Sequence, residues 1–494
     1  MSDRKVAFIF GILAAVSVSA YLVASAAQSG PGFPLDDAWI HQTYARNLAT
    51  LGEWSFIPGE PSAGSTSPLW SLLLSIGHIL GLGPYVWTYL LGGVILWAFS
   101  LLAFWAMSRV LPGRPAWAWA AGILFLFEWH LVWAAVSGME TALFTLVAAA
   151  ILMVLIMLSY SHQASQLLWL LLGLLIGISV WVRPEGLTLL GPILLGALLL
   201  SAKTRQRWKS ILAVLLGFIL LFGLYLMFNR QLAGEWWPNT FYAKQAEYAI
   251  LRESPLPGRL LQQFTLPLIG VGLFLLPGFI IALWDATNRM QWGIVLPAMW
   301  VIGHLSLYAL RLPVTYQHGR YAIPAIPLFL FIGLIGMANT AKLSSPVLLP
   351  RFISRVWVTT SGAILLGFWV IGLNAYVDDV TIIETEMVDT ARWIAENTEA
   401  NAIIAAHDIG AIGYFAPRTI LDLAGLVSPD VVPFIRDETR LSEYINDQGG
   451  QYLMTFPNWY PQLIQGRELI YQSNGQLSFE LAGENMSVYR WFAP

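Results

Sequence analysis

The run VAFIFGILAAVSVSAYLVASA, residues 6–26, follows Arg4 and Lys5 and carries no charged side chain. About 20 apolar residues are what a helix needs to cross a hydrocarbon core. This stretch is therefore expected to be a first transmembrane helix, retained rather than cleaved, since no small-residue cleavage site stands out. Comparable charge-poor runs recur at Leu90–Met107, Thr141–Leu158 and Ile211–Phe228. Over the whole chain, 57% of the 494 residues are hydrophobic and 11% charged, against about 25% charged in a soluble domain. Many of the 23 tryptophans, Trp54, Trp117, Trp133, Trp181, Trp236 and Trp237 among them, sit near the ends of such runs. An amphipathic ring suits the membrane–water boundary there. The bilayer is the first expected partner.

Eleven spans are expected, at roughly residues 6–26, 87–108, 116–136, 140–160, 166–182, 186–201, 209–229, 264–284, 291–311, 321–340 and 355–376. The run 68–82 is short for a span and is assigned to an interfacial helix. With the N-terminus inside, Arg109 and Arg114, then Lys203, Arg205, Arg207 and Lys209, then Arg289, and finally Lys342, Arg351 and Arg355 fall in cytoplasmic connections. That is the charge bias expected of inside loops. The opposite face receives the loop 27–86, the turns SGMET and VRPEG, the segment 230–263, the turn 312–320 and everything after Tyr376.

From residue 377 the composition becomes that of a soluble domain, with Asp378, Asp379, Glu384, Glu386, Asp389, Arg392 and Glu396 close together. Ile383, Met387 and Ile394 recur at helical spacing, and β-prone runs follow at 402–406, 419–423, 452–456 and 486–491. The fold class expected is thus a polytopic α-helical membrane protein, residues 1–376, with an extracytoplasmic α/β domain over 377–494. A net charge of −3 gives no reason to expect nucleic acid. The absence of cysteine excludes disulfides, thiolate catalysis and cysteine-ligated metals.

Chemistry concentrates on the extracytoplasmic face. In LDDAWIHQTYARNLATLGEW, residues 35–54, the positions Ile40, Tyr44, Leu48 and Leu51 form an apolar stripe on a short helix along the membrane surface, which Gly52 can end. Asp36 and Asp37 stand at its N-terminus, where a carboxylate is favoured by free amides and the helix dipole. Capping explains one of them. A second acid beside the membrane suggests a base for a hydroxyl proton, or a ligand for a divalent cation. VSGMETALF, WVRPEGL, WWPNTFYAK and TYQHGRYAIPAIP then place Glu140, Arg183, Glu185, Lys244, His318 and Arg320 on the same side. Arg183, Lys244, His318 and Arg320 together would suit a phosphate; singly, Arg183 paired with Glu185 or Glu140 and a snorkelling Lys244 are structural. In the C-terminal domain His407, Asp408 and Asp422 could form a set of their own, or serve as strand-end polar residues.

The ordered combination DDAWIHQTYARNLA, FIPGEPSAGSTSPLW, SGMETALF, RPEG, PNTFYAK, HGRYAIPAIP and DIGAIGYFAPRTILDLAGLVSP resembles the GT-C superfamily of membrane glycosyltransferases, and within it the mycobacterial arabinofuranosyltransferase AftB-like group. The likeness covers most of the chain. It implies transfer, with inversion, of a sugar from a polyprenyl-phosphate donor to an extracytoplasmic glycan or other envelope acceptor, arabinofuranosyl transfer being one form. It implies Asp36 as the base, with Asp37 next in line. Arg183, Lys244, His318 and Arg320 would then hold the departing phosphate, and Tyr44, Arg46, Glu140 and Glu185 would contact the sugar or support the site. GEPSAGSTSPLW departs from the Gly-Tyr-Thr-Asn-like stretch of the relatives, so the donor sugar does not carry over.

Other readings predict different features. A transporter or flippase of lipid-linked glycans predicts internal repeats and helices interrupted at mid-span, and no repeat is evident. A non-catalytic envelope assembly protein predicts that Asp36→Asn changes no sugar transfer. A lipid-linked oligosaccharide ligase or a phosphoglycerol-type transferase shares the donor chemistry and differs in substrate.

Overall fold

The computed structural model describes residues 2–161, 165–201 and 204–491; Lys203 lies outside them. Eight helices in this range are long and apolar enough to span a membrane: Asp3–Gln28, Gly83–Val110, Thr141–Tyr160, Thr204–Ala233, Val271–Asn288, Trp292–Arg311, Tyr316–Thr340 and Leu348–Asn397. Pro115–Phe127 and Trp129–Val136 meet at a 50° bend and make a ninth when taken together. The two remaining expected spans are shorter apolar helices, Gln166–Val182 and Pro184–Leu199. The chain is a multi-pass membrane protein with eight to nine candidate spans among the described residues where eleven were expected, because periodicity and hydropathy do not distinguish a full crossing from a shorter apolar helix.

Helices are the form in which a chain can satisfy its backbone within lipid. On the first of them Val6, Phe10, Ala14, Val18 and Tyr21 are buried, whereas Phe8, Ile12, Val16 and Val23 are exposed, the division expected when one stripe packs on protein and the other meets lipid. Helix contacts rely on small residues, as is general where apolar burial against lipid drives little. A β-carbon on Gly173 would lie 2.1 Å from the carbonyl of Val214, and one on Gly217 would lie 2.4 Å from that of Leu170. Helices 166–182 and 204–233 therefore touch backbone to backbone. The span Tyr316–Thr340 is buried throughout its apolar window and forms the centre of the bundle.

The loop after the first span folds into the helix Asp37–Leu51, ended by Gly52 at φ 73°. Strands β1 (Ser55–Ile57) and β2 (Glu60–Pro61) and the helix Pro68–Ile79 follow. The expected surface helix forms, but it is not a surface helix. Residues 38–45 are all buried, because a second layer covers them.

That layer is the C-terminal domain. The last span runs into it without a break, through a π-helical turn at Ile383–Val388. A mixed five-stranded sheet follows, β3 (Ile403–Ala406), β4 (Thr419–Asp422), β5 (Tyr452–Thr455), β6 (Glu468–Gln472) and β7 (Ser487–Arg490), in the order β4-β3-β5-β7-β6. β3 is parallel to β4 and β5, while β7 is antiparallel to β5 and β6. Four strands coincide with the β-prone runs. β6 was not expected, because its edge position leaves it mostly exposed and its sequence, ELIYQ, needs no apolar alternation. Buried Glu386 anchors the sheet to the helix, accepting hydrogen bonds from the Met486 amide at 2.7 Å, Asn485 Nδ2 at 3.0 Å and the Ser473 hydroxyl.

Candidate active site

The C-terminal domain is seated on the first loop. Asp36 is buried, and its carboxylate accepts hydrogen bonds from the amides of Gly410 (2.6 Å) and Ala411 (2.8 Å). Arg46 donates to the carbonyls of Tyr414 (2.7 Å) and Gly413 (3.3 Å). Trp39 packs on Tyr414 and Phe415. Tyr44 holds the hairpin beneath, its hydroxyl 2.6 Å from that of Ser62 and accepting from the Gly64 amide at 2.9 Å. Among the residues expected at the site, Tyr44 and Arg46 are thus engaged in packing and line neither of the cavities described next.

Between the layers lies a cavity of about 670 Å³ whose walls include Asp36, Asp37, Lys244, Glu247, Arg320, His407 and Asp408. A second cavity, of about 480 Å³ and mainly apolar, lies toward the bundle and is lined by Trp237, Phe241, Leu307, Tyr308 and Leu312 together with Glu140, Arg183 and Glu185. Lys244 and Arg320 line both. The two cavities therefore meet at a pair of cations.

A left-handed run, Gln317 (φ 54°), His318 (φ 54°) and Gly319 (φ 63°), leads the chain into the central span. Non-glycine residues adopt this conformation only where surrounding contacts impose it. Arg320, which follows, donates to Asp37 at 2.8 Å and to the Tyr321 hydroxyl at 3.1 Å. Lys244 lies 3.6 Å from Asp37 and 3.4 Å from the same hydroxyl. The Arg183 guanidinium stands over the Tyr321 ring at 5.1 Å. Three of the four expected basic residues thus surround one tyrosine that the sequence reading did not single out; nothing in the dipeptide Arg320-Tyr321 marks it. His318 is elsewhere, its Nε2 2.7 Å from Asp379 and its ring against Trp129 and Trp133.

The cations differ in how far they are committed. Arg183 is paired with Glu140 at 3.3 Å and with Glu185 at 3.1 Å, and Glu185 also accepts from Tyr308. Glu140 in turn pairs with His41, which the hydroxyls of Ser65 and Ser71 hold from the other side. Arg320, by contrast, is buried with Nε and Nη1 unpartnered. A buried guanidinium with free donors suits an incoming anion.

The two aspartates are in different states. Burial tends to raise the Asp37 carboxyl, but Lys244 and then Arg320 outweigh it and hold the group ionised well below the usual range. Asp36 is pushed up by burial and then by the nearby Asp408, against the lowering effect of the two amides. Asp408 is itself raised by burial, with His407 opposing. Asp422 is committed locally, accepting from the amides of Ala424 (2.8 Å) and Val427 (2.7 Å). A divalent cation finds no set of ligands here. The Asp36 oxygens are taken by amides and Asp37 by cations, and among the described residues no three histidine or acidic groups gather to hold a metal.

The architecture has solved counterparts. ArnT from Cupriavidus metallidurans bound to undecaprenyl phosphate aligns over 99% of this chain and 98% of its own, with a TM-score of 0.60 and 15% identity. The archaeal oligosaccharyltransferase AglB from Archaeoglobus fulgidus, in complex with an inhibitory peptide and a dolichol-phosphate, aligns over 91% of this chain and 69% of its own, with a TM-score of 0.58 and 12% identity. Arabinofuranosyltransferase AftD from Mycobacteria aligns over all of this chain but 42% of its own, with a TM-score of 0.51 and 16% identity. At such identities the likeness defines a fold, and that fold is GT-C-like. A family model described as a domain of unknown function, DUF8728, matches residues 378–489. No curated protein matches the chain in sequence.

Proposed function

We propose that this chain is a membrane glycosyltransferase that moves a sugar from a polyprenyl-phosphate donor to an acceptor in the cavity beneath the C-terminal domain. The observation that carries the reading is Arg320, buried with two free donors beside Lys244 where both residues line an apolar cavity and a polar one. A lipid phosphate needs that junction: an apolar passage for the isoprenoid and positive charge at its end. The solved proteins of this fold that hold undecaprenyl phosphate or dolichol-phosphate support the same donor class.

In this reading residues 1–376 form the catalytic bundle and 377–494 a domain roofing the site, with both the site and that domain on the extracytoplasmic face. Lys244 and Arg320 hold the donor phosphate, with Arg183 behind them, its charge set by Glu140 and Glu185. Asp37 is the reacting carboxylate, because both acids line the cavity but the Asp36 oxygens are occupied by two amides. Donor phosphate draws Arg320 and Lys244 away from Asp37, which raises its basicity as the reactants assemble. The acceptor oxygen then bonds to the anomeric carbon, its proton passes to Asp37, and the bond to the phosphate oxygen breaks with its electron pair leaving on polyprenyl phosphate. Attack opposite the leaving group inverts the anomeric centre.

The test is transfer of radiolabelled sugar from a panel of polyprenyl-phosphate donors, decaprenyl-phosphate arabinofuranose included, by the purified chain and by Asp37→Asn and Asp36→Asn. Turnover lost in Asp37→Asn and retained in folded Asp36→Asn is expected. Loss in Asp36→Asn alone, at unchanged thermal stability, transfers the role to Asp36. No turnover with any donor overturns the reading.

A further inference from the structure

We infer that the C-terminal domain carries an acceptor-binding platform for a neutral saccharide, formed by Trp459 on the segment 457–463 with Asp408 and His407 beside it. The inference rests on the glycosyl-transfer reading above for its place in the reaction, and on separate observations for its chemistry.

Trp459 and Tyr460 line the polar cavity, yet Trp459 remains 45% exposed. An uncovered indole in the wall of a cavity does not contribute to a core. The segment bearing it is pinned at both ends by carboxylates: Glu484 accepts from the Asn458 amide at 2.7 Å, and Glu438 accepts from the amides of Gln462 (2.7 Å) and Leu463 (2.9 Å). Such bracing lowers the entropy lost when a ligand binds. The ring is further steadied by an edge-on contact with His407 at 5.0 Å and a tilted one with Phe456 at 5.2 Å.

Polar groups converge beside the ring. His407 sits between the Tyr460 hydroxyl (2.7 Å) and Glu247 (3.4 Å). Asp408 has a buried oxygen, Oδ2, with no partner, a deficiency that a ligand hydroxyl would remove. An apolar face next to an unpartnered carboxyl oxygen matches a sugar ring, which presents C–H groups on one face and hydroxyls at its edge. The balance of charge selects against an anionic ligand at this end: Asp36, Asp37, Glu247, Asp408 and Glu438 outnumber Lys244, Arg320 and Arg436 in the cavity wall, and Lys244 and Arg320 are paired with Asp37.

The experiment is saturation-transfer NMR of the full chain in nanodiscs with free di- to tetrasaccharides of pentoses and hexoses, alongside acceptor kinetics with a cleavable donor. Trp459→Ala is expected to raise the KM for the saccharide about tenfold with kcat within about twofold, to lose the NMR signal, and to be rescued by Trp459→Phe. Equal binding by Trp459→Ala and the unmodified chain, no saccharide bound by the unmodified chain, or a Trp459-dependent signal from peptides instead, overturns the inference. Saccharide binding that depends on Trp459 without donor turnover overturns the transfer reading and leaves the site standing.

Discussion

Asp36 and Gly410 are 374 positions apart in the chain and joined at 2.6 Å, the carboxylate of the first loop accepting the amide that opens a short helix in the C-terminal domain. A β-carbon on Gly410 would lie 2.0 Å from the Asp36 carbonyl, so the contact is backbone against backbone as well. Asp36→Ala leaves two buried amides without an acceptor, at a cost of about 1–3 kcal/mol each. We expect a lower unfolding temperature and faster proteolysis near 409–415, with Asp36→Asn intermediate because it retains one acceptor oxygen.

Burial of Asp36 beside Asp408, which outweighs the two amides, makes stability fall as pH rises. Asp36 and Asp408 are both raised, so the folded chain keeps a proton that ordinary carboxylates have released. A raised acid binds more protons folded than unfolded above its ordinary value of about 4, so its contribution is complete below that value and declines through neutrality. The groups facing the pair are Asp37, Glu247, Asp422 and His407. Melting temperatures at pH 6 and pH 9 should differ by several degrees in the unmodified chain and by less in Asp408→Asn; an equal difference in both sinks this account.

Asp37→Asn should lower kcat by about 10²–10⁴, the usual contribution of a positioned base, while the protein remains folded. Circular dichroism and gel filtration of the same preparation check the second half of that statement.

Arg320 should matter to donor binding more than His318 does. Replacing Arg320 by Gln removes a buried charge with two unpartnered donors, and on the proposed donor role the donor KM should rise by on the order of 30-fold or more. Arg320→Lys should restore only part, since an ammonium cannot supply the forked donors. His318→Gln, acting at Asp379 away from both cavities, should leave donor KM within about threefold.

Glu386→Ala should destabilise the C-terminal domain by on the order of 3 kcal/mol, because three donors converge on that buried carboxylate. Chemical denaturation followed by tryptophan emission measures it.

What the sequence by itself determined follows from short-range rules. Charge-free runs require helices in lipid, Gly52 ends the helix after the acidic pair, and short β-prone runs mark four of the five strands of the C-terminal sheet. The polar segments destined for one face were also legible, since a buried ionisable group is too costly to lack a reason. Tertiary structure alone decided the rest. Asp36 and Asp37 are neighbours in sequence and identical in chemistry, and only the docking of Gly410 and Ala411 on one and of Arg320 and Lys244 on the other separates them. His318 and Arg320 read as one cluster until the left-handed run at 317–319 sends them to different partners. Tyr321 and Trp459 come to the cavities through packing between elements far apart in the chain, as does Asp408, which the sequence marks only as part of a local set, and no local pattern encodes a contact made at that range.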